Sequence, residues 1–129
     1  MSGRERIFSG AELEERYGYA RAVVAGDRVI VSGTAPIWPD GRCDSDPGVQ
    51  ARRCLEIIET ALGEAGAELR DVVRTRMFVT DASFQEAVGI AHAEAFASHP
   101  PATSMVVVAG LLDERWKVEI EAEAIRASM

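Results

Sequence analysis

The chain has 129 residues, 47% of them hydrophobic and 27% charged, with 21 acidic against 14 basic side chains. This balance is typical of a globular protein and excludes a disordered one, while the net charge of −7 argues against a surface that binds nucleic-acid phosphates. No apolar run approaches the roughly 20 residues of a membrane span, and Cys43 and Cys54 predict free thiols in a single cytoplasmic domain over residues 1–129.

The first half of the chain predicts three strands and a helix. A short strand is expected near Ile7-Phe8. Residues 22–25 and 28–32 are rich in β-branched side chains and flank Gly26-Asp27, a pair typical of tight hairpin turns. After a turn-rich segment, apolar residues recur every three or four positions from Val49 to Ala65, which predicts an amphipathic helix.

Residues 72–80 alternate in polarity as a strand does. Because successive strand residues point to opposite faces, this alternation puts Val72 and Phe78 on one face and Thr75 and Met77 on the other. We therefore expect a strand with two different faces at this point of the chain.

The last third of the chain predicts one helix followed by two strands. The helix is expected to begin near Asp81, with Ser83 and Glu86 spaced as a capping box, and to end before two consecutive prolines. The strands are predicted over residues 103–109 and 117–125, where apolar residues dominate or alternate with polar ones.

This order of elements predicts an α+β fold in which two helices cover one face of a mixed β-sheet. The other face, which carries Val72, Phe78 and alternate residues of the 103–109 strand, has no further element of the chain to cover it. An uncovered apolar sheet face predicts that the chain self-associates.

The final predicted strand places Glu119, Glu121 and Glu123 on one face, about 7 Å apart. Two interpretations remain open for these carboxylates. They pair across strands with Arg74 and Arg76, which is favoured for Glu121 and Glu123, or one of them is partly buried and acts as an acid or base with a raised pKa. The spacing alone does not decide which glutamate would do so.

Other familiar chemistry is absent from the sequence. His92 is expected to pack on the apolar stripe of its helix, and with His99 it lacks a third ligand at metal-binding spacing, so no metal site is predicted. Neither a nucleophilic serine motif nor a phosphate-binding glycine loop occurs.

Several segments, taken in order, resemble the RidA family of reactive intermediate deaminases, also called YjgF or L-PSP endoribonucleases. These segments are Tyr19–Val23, Val29–Gly33, Asp71–Thr75, Phe78–Asp81, His99–Ser104 and Val118–Ala122. The resemblance is clearest over residues 19–125. It implies a chorismate-mutase-like α+β fold, assembled as a homotrimer around a central barrel, with ligand clefts between subunits.

The resemblance also implies a chemistry. Members of the family hydrolyse imines and enamines, such as 2-aminoacrylate, to a carbonyl product and ammonium, and they use no cofactor. Matched motif by motif, Glu119 and the backbone carbonyl of Met105 would hold the attacking water. Tyr19, Ser32 and Gly33 would contact the substrate.

One position departs from the family pattern. The arginine that binds the substrate carboxylate is replaced by Thr103, in the segment Pro101-Ala102-Thr103-Ser104. Threonine carries no charge, so 2-aminoacrylate is predicted to be a poor substrate. The substrate would be a different imine or enamine, either neutral or with a carboxylate that meets Arg76 or Arg21.

Two alternatives to an imine hydrolase remain open at this point. The chain could be a non-catalytic trimer that binds a metabolite or a partner protein. A ribonuclease is the other alternative, and the acidic net charge argues against it.

Overall fold

The computed structural model describes residues 3–127, in which two long helices pack on one side of a six-stranded sheet. The strands are β1 (Glu5–Ile7), β2 (Ala22–Ala25), β3 (Arg28–Thr34), β4 (Val72–Val79), β5 (Ala102–Val107) and β6 (Val118–Ile125). The helices are α1 (Glu12–Tyr17), α2 (Pro47–Glu64) and α3 (Gln85–Phe96), with 3₁₀ turns at Leu69–Asp71 and Ala82–Phe84. None of the helices in this part of the chain is long and apolar enough to cross a membrane.

The sheet has the strand order β1-β2-β3-β6-β4-β5. Strands β4 and β5 run parallel, and all other neighbours are antiparallel, so the predicted mixed sheet is confirmed. Helix α3 is the crossover between the parallel strands, and it packs against α2. Because the last strand inserts between β3 and β4, the residues of β6 lie at the centre of the sheet.

The core fills the space between the two long helices and one sheet face. Four alternate side chains of β6 are buried in it: Val118, Ile120, Ala122 and Ala124. Since successive strand residues point to opposite faces, the three glutamates between them lie on the face that no helix covers.

Helix α2 begins at Pro47, two residues before the predicted start, because Asp46 caps it. The Asp46 carboxylate accepts a hydrogen bond from the N–H of Val49 at 2.9 Å. We expect D46A to lower the free energy of unfolding by about 1 kcal/mol, since the orphaned N–H of the first turn loses its acceptor. D46N keeps an acceptor and should cost clearly less. Urea denaturation measures both, and equal losses would contradict the capping role.

Val72 lies in the core, so its predicted place on the uncovered face is wrong. The pairing of β4 with β6 shifts between Val72 and Arg74, which leaves Val73 as an extra residue in the strand. Such a bulge interrupts the alternation of side chains, so that Val72 is buried and Val73 is exposed. From Arg74 onward the predicted alternation is confirmed.

Two local features near the helices differ from the prediction. The capping box between Ser83 and Glu86 is not formed, because the Asp81 side chain accepts from the Ser83 N–H and opens a 3₁₀ turn instead. Helix α1 was not predicted at all. It is short and rich in glutamate, and buried Glu14 anchors it by accepting hydrogen bonds from the backbone and hydroxyl of Ser9.

The uncovered face is more charged than predicted. Arg76 pairs with Glu121, as expected, whereas Glu123 pairs with Arg28 of β3 at 2.8 Å. Phe78 lies on this face as predicted, between Glu119 of β6 and Val106 of β5.

Gln50 ties two loops together from inside the fold. Its side chain is fully buried, and Nε2 donates to the carbonyls of Asp44 at 2.6 Å and Arg115 at 2.9 Å. Its Oε1 accepts from the backbone N–H of Lys117 at 2.7 Å. The loop before α2 is thereby joined to the turn that leads into β6.

Candidate functional site

Glu119 lies beside a bulge in the neighbouring strand. The pairing of β3 with β6 shifts between Val31 and Thr34, so Ser32 and Gly33 form an irregular step opposite Glu121, and the Glu119 side chain reaches Gly33 from the adjoining part of β6. A Cβ placed on Gly33 would clash with Oε2 of Glu119. The missing side chain of Gly33 is therefore what gives the carboxylate its position.

Glu119 differs from the two other glutamates of its strand in its charge environment. It makes no side-chain hydrogen bond or ion pair within residues 3–127, whereas Glu121 and Glu123 are both paired. Burial raises the pKa of Glu119, the nearby Arg21 guanidinium opposes this, and Glu121 adds to it. A half-buried carboxylate with free oxygens and a raised pKa can accept a proton from a bound water.

Two further predicted site residues bond to the backbone beside the same bulge, and a third, Tyr19, directly precedes one of their partners in the chain. Arg21 donates from Nη2 to the Gly33 carbonyl at 2.6 Å, and its buried Nε has no partner among the described residues. The Ser32 hydroxyl donates to the carbonyl of Ala20 at 2.7 Å. We call Tyr19, Arg21, Ser32, Gly33 and Glu119 the Glu119 cluster.

Helix α1 explains how Tyr19 reaches this cluster. The helix ends at Gly18, which adopts the left-handed conformation with φ of 77°. The N–H groups of Gly18 and Tyr19 both donate to the carbonyl of Glu14, so the chain turns sharply into the segment that carries the tyrosine. Tyr19 remains 37% exposed.

Thr103 and Met105 lie elsewhere, on the side of the sheet that faces α3. They pair in the parallel ladder with Thr75 and Met77, both of which are buried. Because Glu119 alternates with the buried residues of β6, it lies on the opposite face from Thr103. One copy of the chain therefore does not bring these two predicted site residues into one pocket.

Thr103 belongs to a hydrogen-bonded group that the sequence did not reveal. Its Oγ1 lies 2.7 Å from Oγ1 of Thr75, which lies 2.9 Å from Nε2 of His92. The His92 ring packs on Phe96 with 4.6 Å between ring centroids, so its predicted apolar packing is confirmed. Burial lowers the pKa of His92, which favours the neutral imidazole. We call Thr75, His92 and Thr103 the Thr103 cluster.

An open cavity of about 540 Å³ lies between α3 and the strands β4 and β5. Its lining includes Thr103, Met105 and His92, together with Glu86 and Ile90 of the helix. No lysine or arginine lines it, so the cavity offers an anion no fixed positive charge. Within the described part of one chain, the lining of this cavity therefore supplies no lysine or arginine in place of the arginine that the resemblance implies at Thr103.

Arg76, the other candidate for binding a substrate carboxylate, lies away from this cavity. It lines a shallow depression of about 160 Å³ on the uncovered face, together with Ser32, and its guanidinium is paired with Glu121. To bind a ligand there, Arg76 would first have to release that partner.

Comparison with known proteins identifies the family. The model for Endoribonuclease L-PSP matches residues 10–126. The chain is 35% identical over 112 residues to the 2-iminobutanoate/2-iminopropanoate deaminase of Escherichia coli, which covers 84% of this chain and 87% of that protein. Given this match and the α+β fold, the chain belongs to the RidA/YjgF family, as its sequence motifs predicted.

Two solved structures support the assignment. Rv2704 of Mycobacterium tuberculosis, described as a member of the YjgF/YER057c/UK114 family, superposes with a TM-score of 0.89 at 46% identity, over 95% of this chain and 99% of that one. TdcF of E. coli, solved with bound serine, gives a TM-score of 0.79 at 32% identity, over 84% and 88% of the two chains.

Proposed function

We propose that the chain is a RidA-type hydrolase of an imine or enamine that carries no carboxylate at the position facing Thr103. The observation that carries this proposal is the unpaired, half-buried carboxylate of Glu119 over Gly33. The E. coli relative is named a deaminase of two imino acids, which supports the same reaction class. The absence of lysine and arginine from the lining of the cavity around Thr103 supports a different substrate.

The proposed reaction needs only water. Glu119 accepts a proton from the water. At the same time the water oxygen bonds to the imine carbon, and the C=N π electron pair moves to nitrogen. The protonated Glu119 returns this proton to the nitrogen, which gives a carbinolamine. The hydroxyl proton of the carbinolamine then passes by way of Glu119 to the amino nitrogen, the C–N bond breaks, and a carbonyl product and ammonia leave. The Met105 carbonyl would accept the second hydrogen of the water, with Tyr19, Ser32 and Gly33 against the substrate.

This mechanism requires more than one copy of the chain, because the Glu119 and Thr103 clusters lie on opposite faces of the sheet. We propose the homotrimer that the family resemblance implies. In it, Thr103 and Met105 of one copy would meet the Glu119 cluster of the next. The uncovered sheet face, where Ile30 and Val106 are 41% and 44% exposed, supports such an assembly.

Substitution of Glu119 by glutamine tests the proposal. Imines without a carboxylate can be generated in situ by an amine oxidase, and ammonia release can be followed. We expect E119Q to slow the reaction by about 100-fold or more, the usual contribution of a general base. In the wild type the rate should rise with pH through the pKa of Glu119, above its ordinary value, because the carboxylate is the active form.

Two measurements protect this test from a trivial explanation. E123Q breaks only the exposed pair with Arg28, so it should keep the activity. E119Q should be at least as stable as the wild type near neutral pH. The pKa of Glu119 is higher in the folded than in the unfolded chain, so the ionised carboxylate lowers the free energy of unfolding once the pH exceeds the folded-state pKa, and glutamine removes this cost. Equal rates for E119Q and the wild type would remove the glutamate from the mechanism.

Ligand binding without turnover is the second candidate function. The absence of a lysine or arginine from the cavity around Thr103 favours binding without turnover, since a family member without the arginine that holds the substrate carboxylate can still retain a ligand cleft. Saturable binding of an imine or a carbonyl product, with no ammonia release in the assay above, would establish this alternative in place of hydrolysis.

A further inference from the structure

The two hydrogen bonds of the Thr103 cluster can run in either of two directions. Thr75 is fully buried, and its single hydroxyl proton faces two neighbours, Nε2 of His92 at 2.9 Å and Oγ1 of Thr103 at 2.7 Å. One hydroxyl can donate to only one of them, while its lone pairs accept from the other. Nε2 of His92 also lies 3.4 Å from Oγ1 of Thr103, a longer contact than the other two, so the presence of a proton on Nε2 decides the direction of both short hydrogen bonds.

The two directions present different groups to the cavity. When Nε2 of His92 is unprotonated, Thr75 donates to it, Thr103 donates to Thr75, and the lone pairs of Thr103 remain for a ligand. When Nε2 carries a proton, it donates to Thr75, and Thr75 donates to Thr103. The Thr103 hydroxyl proton is then free to point toward a ligand.

We propose that His92, acting through Thr75, is a positioning and specificity residue that sets whether Thr103 offers the cavity a hydrogen-bond acceptor or donor. Protonated His92 would also bring the positive charge that the cavity otherwise lacks. The cleft would thus bind uncharged ligands that have a hydrogen-bond donor when Nε2 of His92 is unprotonated. It would bind carboxylates when the His92 ring is protonated and charged. This inference deepens the proposed function, because it concerns the same cleft.

Few charged groups compete with this effect. The strand side chains that contact the imidazole, Thr75 and Thr103, are neutral, and Phe96 packs on its ring. On α3, Glu86 lines the same cavity, while Glu94 is paired with Arg52 at 2.8 Å. Burial is the cause that acts on the His92 pKa, and a bound carboxylate would raise that pKa again.

The test is the affinity of the wild-type protein for 2-oxobutanoate, a stable carboxylate, by calorimetry at about pH 5 and about pH 7.5; the lower value lies well below an ordinary histidine pKa because burial lowers the pKa of His92. We expect binding to be about tenfold tighter at the lower pH, the effect of one added charge-assisted hydrogen bond. Butanone, which lacks the carboxylate, should show no such gain.

Variants locate the effect. T75V removes the connecting hydroxyl with little change of shape, and H92N removes the titrating ring, so each should abolish most of the pH dependence. H99N, at the other histidine, should leave it unchanged. Histidine ring NMR shifts of T75V check that His92 still titrates in the folded protein.

Three outcomes would overturn the proposal: equal affinity at the two pH values, no binding of 2-oxobutanoate at either, or a pH dependence that persists in both T75V and H92N. None of these depends on turnover. A chain that hydrolyses imines but binds carboxylates without pH dependence would therefore disprove the relay and leave the proposed function intact.

Discussion

Replacing Thr103 with arginine should convert this protein into a hydrolase of 2-iminobutanoate, the imino acid in the name of its E. coli relative. The cavity beside Thr103 has no lysine or arginine in its lining, so a substrate carboxylate finds no permanent positive charge there in the wild type. A guanidinium adds charge-assisted hydrogen bonds worth about 1.5–3 kcal/mol each. One such bond corresponds to a rise in kcat/KM of about 10- to 150-fold, measured with the imine generated by an amino acid oxidase.

T103Q is the matched control, because glutamine is long and polar but uncharged. It should stay close to the wild-type rate. A wild-type protein that already matches the E. coli deaminase on this substrate would show that Thr103 is no obstacle. A T103R variant no faster than T103Q would show that the missing charge is not the cause.

The same variant tests whether the site is shared between copies. The double variant T103R/E119Q has the arginine but lacks the acid, and the wild type has the acid but lacks the arginine. After unfolding and refolding together, mixed assemblies should hydrolyse 2-iminobutanoate faster than either protein alone. No gain on mixing would contradict a cleft that combines Thr103 of one copy with Glu119 of another.

Adding a single methyl group at Gly33 should remove the activity while leaving the fold nearly intact. In G33A the new Cβ would occupy the space of Oε2 of Glu119. That oxygen is at the end of a flexible side chain, so the carboxylate can move aside at small cost in stability. The displaced acid no longer holds its water, and a shift of about 1 Å can cost about 100-fold in rate.

G63A is a suitable control, since Gly63 lies in the last turn of α2 and a Cβ there meets nothing within 4 Å. This change should stabilise the helix by about 0.5–1 kcal/mol and leave the kinetics unchanged. Thermal unfolding and ammonia release, measured on both variants, separate stability from catalysis. A G33A protein with the wild-type rate would mean that the position of Glu119 over Gly33 is not needed.

The fold was predictable where periodicity was strong. Helix α2 and the strands β2, β3, β4 and β6 follow from apolar spacing, because their buried residues recur at the interval of the element, whereas β5 has no buried residue and follows from its apolar run. The bulge at Val72–Val73 was not predictable, since an inserted residue leaves the local composition unchanged. Helix α1 was missed because it has only six residues, and its one buried side chain, Glu14, is polar and bonded to Ser9, so it gives no apolar periodicity.

The site was only partly predictable. Three glutamates alternate along β6, and their spacing is identical, so nothing local separates Glu119 from its neighbours. Only the family motif pointed to it, and the structure adds the physical difference, which is the absence of an ion pair. The Thr103 cluster was missed because Thr75 and His92 are 17 residues apart and meet only when α3 folds over β4.

The buried amide of Gln50 holds the backbone that leads to Glu119. Its bond to the Lys117 backbone holds the chain two residues ahead of Glu119, and its other bonds reach the segment before α2. If that segment moved, the Gln50 side chain would transmit the displacement to the first residues of β6. The loop around Asp44 is thus mechanically coupled to Glu119, although the two residues are 75 positions apart in the chain.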